Sequence, residues 1–450
     1  MGKYFGTDGF RGEAGITLTA DQAFRVGRYL GYHLRKSTDG RPRVTIGKDT
    51  RLSSYMLEYA IASGLASSGA DVYVLHVTTT PCVSYVTLTD GFDCGVMITA
   101  SHNPYYDNGI KIIDRRGEKL DDRTAELIEA YIDSECEEIP WAIGESIGKI
   151  HDYYSGRNRY VGYLIALASN SYKGMRIGLD AANGSAFAIS RAVFSALGAE
   201  VHAIGDEPSG TNVNDGCGST HPERLAELVR ERGLDVGFAF DGDADRCIAV
   251  DGNGNQVNGD KIMYVLAARL KRLGMLSGDT VIATVMSNGG FISSAAQMGV
   301  RVETTQVGDR FVYEKMQKLN ASLGGEQSGH IIIRKYATTG DGILSAIMLA
   351  EEICDTKKSL AELTAGVTDY PQQTASVRVR NKAQVMQDAD FLALADGIRA
   401  EVAPCGRLLV RESGTEPKIR IMVEAESINI CQKHADTLLD FLASRGYIDE

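Results

Sequence analysis

A unit of strand, helix, glycine and strand recurs along this chain, and it confines the fold to parallel sheets covered by helices. Arg43-Val44-Thr45-Ile46-Gly47 reads as a strand, residues 52 to 68 as a helix, and Asp71-Val72-Tyr73-Val74-Leu75 as the next strand. Arg176 to Asp180, a helix running to Gly198, and Glu200 to Ile204 repeat the unit; so do Thr280 to Thr284, a helix to Gly299, and Arg301 to Thr304. In each copy a glycine (Gly69, Gly198, Gly299) stands where the helix should be capped, just before the second strand. Any α/β chain yields some triplets of this kind, but three with the same glycine predict three related α/β domains.

Beyond about residue 368 strands no longer alternate with helices: Ser376-Val377-Arg378-Val379-Arg380, a helix near 385 to 401, strands near 406 to 410 and 418 to 424, and a closing helix from 427 to 444. A smaller α+β domain is expected there. The Gly- and Ser-rich segment 140 to 156, with the only Trp, is a candidate first boundary, and Asp251-Gly252-Asn253-Gly254-Asn255 is a hairpin turn near the second. A length of 450 residues admits two to four domains. The expected division is 1–150, 155–252, 253–367 and 368–450.

The net charge of −12, from 47 Lys plus Arg against 59 Asp plus Glu, argues against nucleic acid or an anionic membrane as the main partner. It does not exclude a phosphorylated substrate, since local charge can oppose the global sign. No apolar run approaches the roughly 18 residues of a membrane span, and Met1-Gly2-Lys3-Tyr4-Phe5-Gly6 carries neither a signal-peptide core nor a myristoylation pattern. The 8 cysteines never approach within a zinc-ribbon or CxxC spacing, so reduced thiols in cytoplasmic cores are expected. Glycine is the outlier, 49 against 9 prolines, and asks where so many special backbone positions are used.

Four glycine-marked loops answer in part. The first, Ala100-Ser101-His102-Asn103-Pro104 and then Asp107-Asn108-Gly109-Ile110-Lys111, follows the apolar strand Gly95 to Thr99, where α/β sheets place reactive groups. Taken alone, Ser101 reads first as a turn or helix-capping serine, and its surroundings lack the G-x-S-x-G elbow. The second is Asp241-Gly242-Asp243-Ala244-Asp245-Arg246. Carboxylates at 241, 243 and 245, spaced by residues with little side chain, can converge on one hard cation; Arg246 and Gly252 exclude a calcium hand, and oxygen-only ligands favour Mg²⁺ over Zn²⁺. The third is Gly324-Gly325-Glu326-Gln327-Ser328-Gly329-His330, where Glu326 and Ser328 suit adjacent sugar hydroxyls, although an ordinary hairpin fits the segment equally. The fourth runs from Arg411 through Ser413, Gly414 and Thr415 to Arg420: two hydroxyls flank a glycine between guanidinium groups, a nest for phosphate that Glu412 and Glu416 partly oppose. No G-x-x-x-x-G-K-[ST], G-x-G-x-x-G or H-E-x-x-H competes with these loops.

In this order and at these separations the four loops, with Lys3-Tyr4-Phe5-Gly6-Thr7-Asp8-Gly9 and Arg11-Gly12, resemble the α-D-phosphohexomutase superfamily over essentially the whole chain. Tyr105 to Lys111 and Val307-Gly308-Asp309-Arg310 look like its glucosamine branch rather than its mannose and glucose branch. Ala244 stands where many members have glycine, Asn258 where aspartate is common, and Ser54 where glycine is frequent. The resemblance implies four domains around a central cleft: three related α/β domains with mixed sheets and a C-terminal α+β domain. It implies that Ser101 is a phosphoserine that phosphorylates the substrate's free hydroxyl. By that resemblance the resulting sugar bisphosphate would turn end for end and return its other phosphate, interconverting glucosamine 6-phosphate and glucosamine 1-phosphate for cell-wall precursor synthesis.

By the same resemblance Ser101, Asp241, Asp243 and Asp245 hold one Mg²⁺, and Lys111, Arg246, His102, Arg11 and His330 complete the catalytic group, with Lys111, His330 and Arg11 candidates for proton transfer. Glu326, Ser328, Gly308 and Asp309 would grip the sugar; Arg411, Ser413, Gly414, Thr415 and Arg420 would hold the non-reacting phosphate in either orientation, with a hinge near residue 368. Glucosamine 1,6-bisphosphate or a similar compound would act as activator, and a homodimer stays open. The rivals are phosphomannomutase or phosphoglucomutase activity, a Mg²⁺-dependent phosphatase using Ser101, and a non-catalytic sugar-phosphate binding protein.

Overall fold

The computed structural model describes residues 2–6, 9–134, 138–403, 406–413 and 417–449. Its contacts divide the chain into two compact units, Met1–Met286 with Val300–Ala365, and Ser287–Gly299 with Gly366–Glu450.

The first unit contains three mixed sheets. In one, the strands lie in the order Phe5–Gly6, Gly9–Glu13, Asp107–Asp114, Cys94–Ile98, Arg43–Lys48, Asp71–Val77 and Ile150–Asp152. In the next the order is Gln256–Val257, Cys247–Asp251, Val236–Phe240, Arg176–Asp180, Glu200–Ile204, and in the third Ile331–Ile333, Leu323–Gly325, Thr280–Thr284, Arg301–Thr305. The three share one plan. A first strand (43–48, 176–180 or 280–284) is flanked in parallel by a second and a third, and the third pairs antiparallel with a fourth. Ile150–Asp152 adds to the first sheet by pairing with Asp71–Val77, and Gln256–Val257 closes the 251–255 hairpin onto the second. The first candidate boundary segment therefore contains a strand of the sheet that precedes it, and the second is a turn between two strands of one sheet.

The recurring glycines have the predicted conformation. Gly69, Gly198 and Gly299 take φ of 88°, 97° and 70°, each two residues after a helix's last residue at Ser67, Ala196 and Gln297. After the first two, Ala70 and Ala199 donate their N–H groups to Leu65 and Phe194 carbonyls, so the left-handed residue turns the chain back while satisfying carbonyls at the helix end. The first sheet's core is built from Val44, Ile46, Val72, Val96 and Ile110 under Val26, Leu30, Leu57 and Ile61 of its helices, all essentially without exposure.

The second unit has the strand order Gln372–Arg378, Lys418–Glu424, Arg407–Glu412, all antiparallel, with helices Ala389–Val402 and Ile428–Ser444 over a core that includes Val385, Phe391, Leu438 and Leu442. The helix expected near 385 to 401 is two, Lys382–Gln387 and Ala389–Val402. Asp388 divides them because its carboxylate accepts the N–H groups of Asp390 and Phe391, starting a new helix. Helix Gly289–Gln297, third-repeat in chain order, packs with this unit: Gly289 N donates to Glu424, and Asn288 Nδ2 to the Tyr370 carbonyl at 2.8 Å. No helix among the described residues is long and apolar enough to cross a membrane, and Cys82, Cys94, Cys217, Cys247, Cys354 and Cys431 are free thiols.

Candidate active site

Three of the four chemistry-bearing loops occupy one topological place. Residues 99–106, 241–246 and 326–330 each join the third strand of a repeat to its antiparallel fourth, at the carboxyl end of a parallel strand. Ser101 opens the first. It is buried, 1% exposed, and left-handed at φ 54°. Its Oγ donates to Asp241 Oδ2 at 2.6 Å and lies 3.3 Å from His102 Nδ1. The two loops approach this closely because residue 242 is glycine: a Cβ there would stand 2.5 Å from the Ser101 carbonyl oxygen. Gly242→Ala is therefore expected to cost about 1–3 kcal/mol by overpacking and to weaken activity by parting Ser101 from Asp241. Denaturant unfolding and an activity assay on one preparation check both effects.

Asp241 and Asp243 are fully buried and Asp245 is nearly so, with one oxygen of each within 4.8 Å of the others. Lys111 Nζ donates to Asp243 Oδ2 at 2.6 Å and Asp245 Oδ2 at 2.9 Å, and the Thr80 hydroxyl also donates to Asp243 Oδ2. Thr80 is the first residue of helix Thr80–Thr89, whose positive end thus meets the acidic cluster. Arg246 Nε lies 4.0 Å from Asp241 Oδ2 and from Asp245 Oδ1. Burial, and then the charges of Asp245 and Asp243, push Asp241 up to about 8. Burial would raise Asp245 too, but Lys111, His330 and Arg246 hold it well below its ordinary value. Asp243 Oδ1 and Asp245 Oδ1 have no hydrogen-bond partner. Buried carboxylate oxygens without a hydrogen-bond partner are costly in a protein interior, and three carboxylates that each bring an oxygen within 4.8 Å of the others can share a hard cation, so these residues fit a divalent metal.

Ala244 sits in the same turn at φ 57°, a left-handed backbone that explains why glycine suits that position.

The loop 326–330 adjoins the aspartates: Arg246 and His330 form an isolated bridge, and Cys247 N donates to the Gly329 carbonyl. His330 is buried, with Nδ1 3.7 Å from Asp245 Oδ1 and Nε2 3.7 Å from Asp309 Oδ2. Gly340 N–H donates to its Nε2 at 3.1 Å, which places the neutral ring's proton on Nδ1, the nitrogen on the Asp245 side. Burial alone would lower its pKa; Asp245, Asp309 and Glu326 raise it. His102 is the reverse case, pushed down to about 4 by burial and by Arg246 and Arg11. Arg11 Nη1 reaches Asn103 Oδ1 at 3.4 Å.

Glu326, Ser328 and Gly308 come together, Glu326 Oε1 accepting from Gly308 N at 2.9 Å and Oε2 from Ser328 Oγ at 3.4 Å. Asp309 Oδ1 accepts from Lys119 Nζ at 2.6 Å and from Arg310 N at 2.8 Å.

In the second unit Arg411 and Arg420 are direct cross-strand partners. Like charges so placed oppose folding, and burial, then Arg420, lowers the Arg411 pKa. An anion held by such a pair would relieve that repulsion. Ser413 is buried and its carbonyl accepts from Lys382 Nζ at 2.7 Å. Gly414 and Thr415 lie outside the described residues. Thr80, Lys119 and Lys382 had no motif to mark them, since each reaches its site from a distant part of the chain.

Models of the phosphoglucomutase/phosphomannomutase alpha/beta/alpha domains I, II and III match residues 2–138, 158–254 and 258–370, and the C-terminal domain model matches 375–440. A phosphoglucosamine mutase of Lachnospira eligens is 54% identical over 448 residues, 99% of this chain and 100% of that one. A phosphoglucosamine mutase of Lachnoclostridium phytofermentans is 51% identical, covering 100% of both. The crystal structure of a phosphoglucomutase/phosphomannomutase family protein from Burkholderia thailandensis superimposes with a TM-score of 0.80 at 25% identity, over 98% of this chain and 97% of that one.

Proposed function

The chain belongs to the phosphoglucomutase/phosphomannomutase family, and from that premise we propose that it interconverts glucosamine 6-phosphate and glucosamine 1-phosphate through a phosphoserine at Ser101. The observation that carries this reading is the buried Ser101 Oγ, 2.6 Å from an aspartate whose two neighbours retain unpartnered oxygens. The full-length similarity to phosphoglucosamine mutases supports the sugar.

In the first half-reaction the substrate hydroxyl oxygen bonds to phosphorus, the Oγ–P bond of Ser101 breaks, and the hydroxyl proton passes to a base, for which Lys111, His330 and Arg11 are the candidates. A phosphoserine beside three aspartates gathers about five negative charges. Lys111 and Arg246 offset part of this from within the loop cluster. Mg²⁺, held by Asp241, Asp243, Asp245 and the Ser101 phosphate, would supply further charge neutralisation at the phosphoryl oxygens. In the dephosphorylated state the Ser101 Oγ proton lies on the hydrogen bond to Asp241 Oδ2, from which it must leave as the bisphosphate returns its other phosphate. Glu326 and Ser328 grip sugar hydroxyls, and Arg411, Ser413, Gly414, Thr415 and Arg420 hold the non-reacting phosphate. A glucosamine 1,6-bisphosphate serves as activator because it reloads Ser101. The protein acts in the cytoplasm on a soluble sugar phosphate.

A coupled assay with Mg²⁺ and catalytic bisphosphate, comparing glucosamine, glucose and mannose phosphates, is expected to give the highest kcat/KM for glucosamine phosphate. A higher value for glucose or mannose would replace this reading with phosphoglucomutase or phosphomannomutase activity.

A further inference from the structure

Arg51 is among the largest fully buried side chains, without exposure, and has no part in the chemistry above. Asp49 holds it, Oδ2 accepting from Arg51 Nε at 2.8 Å while Oδ1 accepts from Arg51 N at 3.0 Å and Ser54 Oγ at 2.7 Å. The rest of the guanidinium fork faces the Ser101 loop. Nη2 donates to the carbonyls of Ser101 at 2.8 Å and Asn103 at 2.9 Å, and Nη1 to those of Asn103 at 3.1 Å and Pro104 at 2.8 Å.

Asn214, from the second repeat, reaches two of the same oxygens. Its Nδ2 donates to the Ser101 carbonyl at 2.9 Å and the Asn103 carbonyl at 3.1 Å, although this leaves its buried Oδ1 without a partner. In the second repeat the first loop supports the third through its backbone, Ser185 N donating to the Gly242 carbonyl at 2.8 Å.

The Ser101 N–H is engaged as well, donating to Thr99 Oγ1 at 2.9 Å. With the N–H fixed on one side and the carbonyl gripped by two side chains on the other, both peptide planes around a left-handed serine are set, and Oγ moves only by rotation about χ1. We propose that Arg51 and Asn214 are positioning residues for phosphoryl transfer, clamping the back of the Ser101 loop so that Oγ keeps its place as phosphate comes and goes. The proposal rests on the reading of Ser101 as the phosphoryl carrier. The charge changes by about two units beside three aspartates at each transfer, and a loop without this clamp recoils from them. Only a planar fork spans three carbonyls and a carboxylate at once.

The test uses the full chain with Mg²⁺, glucosamine 6-phosphate and a bisphosphate activator. Arg51→Lys keeps the charge and loses the fork; Asn214→Gly removes the amide while permitting the left-handed backbone at φ 58°. Misplacement of the reacting atom predicts that kcat falls about 100-fold in the first and about tenfold in the second, with KM not raised. Phosphate uptake by Ser101, followed by intact mass, should slow by the same factors in protein that unfolds like the wild type. Wild-type kcat in a folded variant, or a raised KM with kcat unchanged, overturns the clamp, and if Arg51→Lys does not fold, Asn214→Gly decides. A wild-type chain that neither takes up phosphate at Ser101 nor turns over sugar phosphate instead removes the functional reading, and the clamp with it.

Discussion

Replacing Ser101 with alanine is expected to lower isomerisation by at least about 10⁴-fold, as removal of a covalent nucleophile does elsewhere, while leaving the fold in place. The backbone partners of residue 101 do not depend on its hydroxyl: Thr99 takes the N–H, and Arg51 and Asn214 grip the carbonyl. Alanine tolerates φ 54° no worse than serine does. One hydrogen bond to Asp241 is lost, and that carboxylate still accepts from Arg246 N at 3.2 Å, so the stability change should stay within about 1–2 kcal/mol. Intact mass should show no added phosphate on the variant after incubation with bisphosphate. Turnover within tenfold of wild type in Ser101→Ala would remove the phosphoserine mechanism and leave the site to a direct transfer or to another nucleophile.

The first half of each repeat is legible because two signals coincide there, a helix between β-rich runs and a glycine whose positive φ no other residue adopts as easily. The second half is legible only in part: the apolar run before Ser101 reads as a strand, but its place in a shared plan does not. The third strands Cys94–Ile98, Val236–Phe240 and Leu323–Gly325 are short and buried throughout, so they carry no alternating pattern, and only strand pairing shows that the three loops leaving them are equivalent. The helix before Gly299 reads as third-repeat by chain order, yet its first N–H, that of Gly289, and Asn288 are engaged by Glu424 and Tyr370, a tertiary preference that local sequence does not encode.

The same division holds at the site. Three aspartates within five positions announce themselves, because so much like charge is unstable without a counter-ion. The groups that make them tolerable come from far away in sequence, Lys111 from 132 residues before Asp243 and Thr80 from 163 before it. Arg51 follows an apolar strand and, in sequence, looks like any loop arginine; its fork acquires meaning only when the carbonyls of 101, 103 and 104 curve around it. Asp309, which the resemblance groups with the sugar-binding residues, carries contacts no motif announces: its carboxylate accepts from Lys119 and stands beside His330.

The second large effect is expected from Asp243→Asn, and its two parts have opposite signs. Activity should fall about 10²–10³-fold, the usual cost of deleting one preorganised electrostatic group around a reacting centre. Stability without divalent metal should rise, by about 1 kcal/mol, because mutual repulsion among buried carboxylates is relieved. The replacement amide can keep its oxygen on Lys111 and Thr80, where Asp243 Oδ2 now sits, and bring an NH₂ to the position of the unpartnered Oδ1. The wild-type chain should gain stability with added Mg²⁺ as binding to the folded state dictates, about 2.7 kcal/mol at a concentration 100 times Kd, and the variant should lose most of that gain. Thermal unfolding of both proteins in EDTA and across a Mg²⁺ series measures the crossing directly. If Asp243→Asn is less stable than wild type in EDTA and responds equally to Mg²⁺, the three aspartates are a structural cluster, and the countercharge for phosphoryl transfer must come from Lys111 and Arg246 alone.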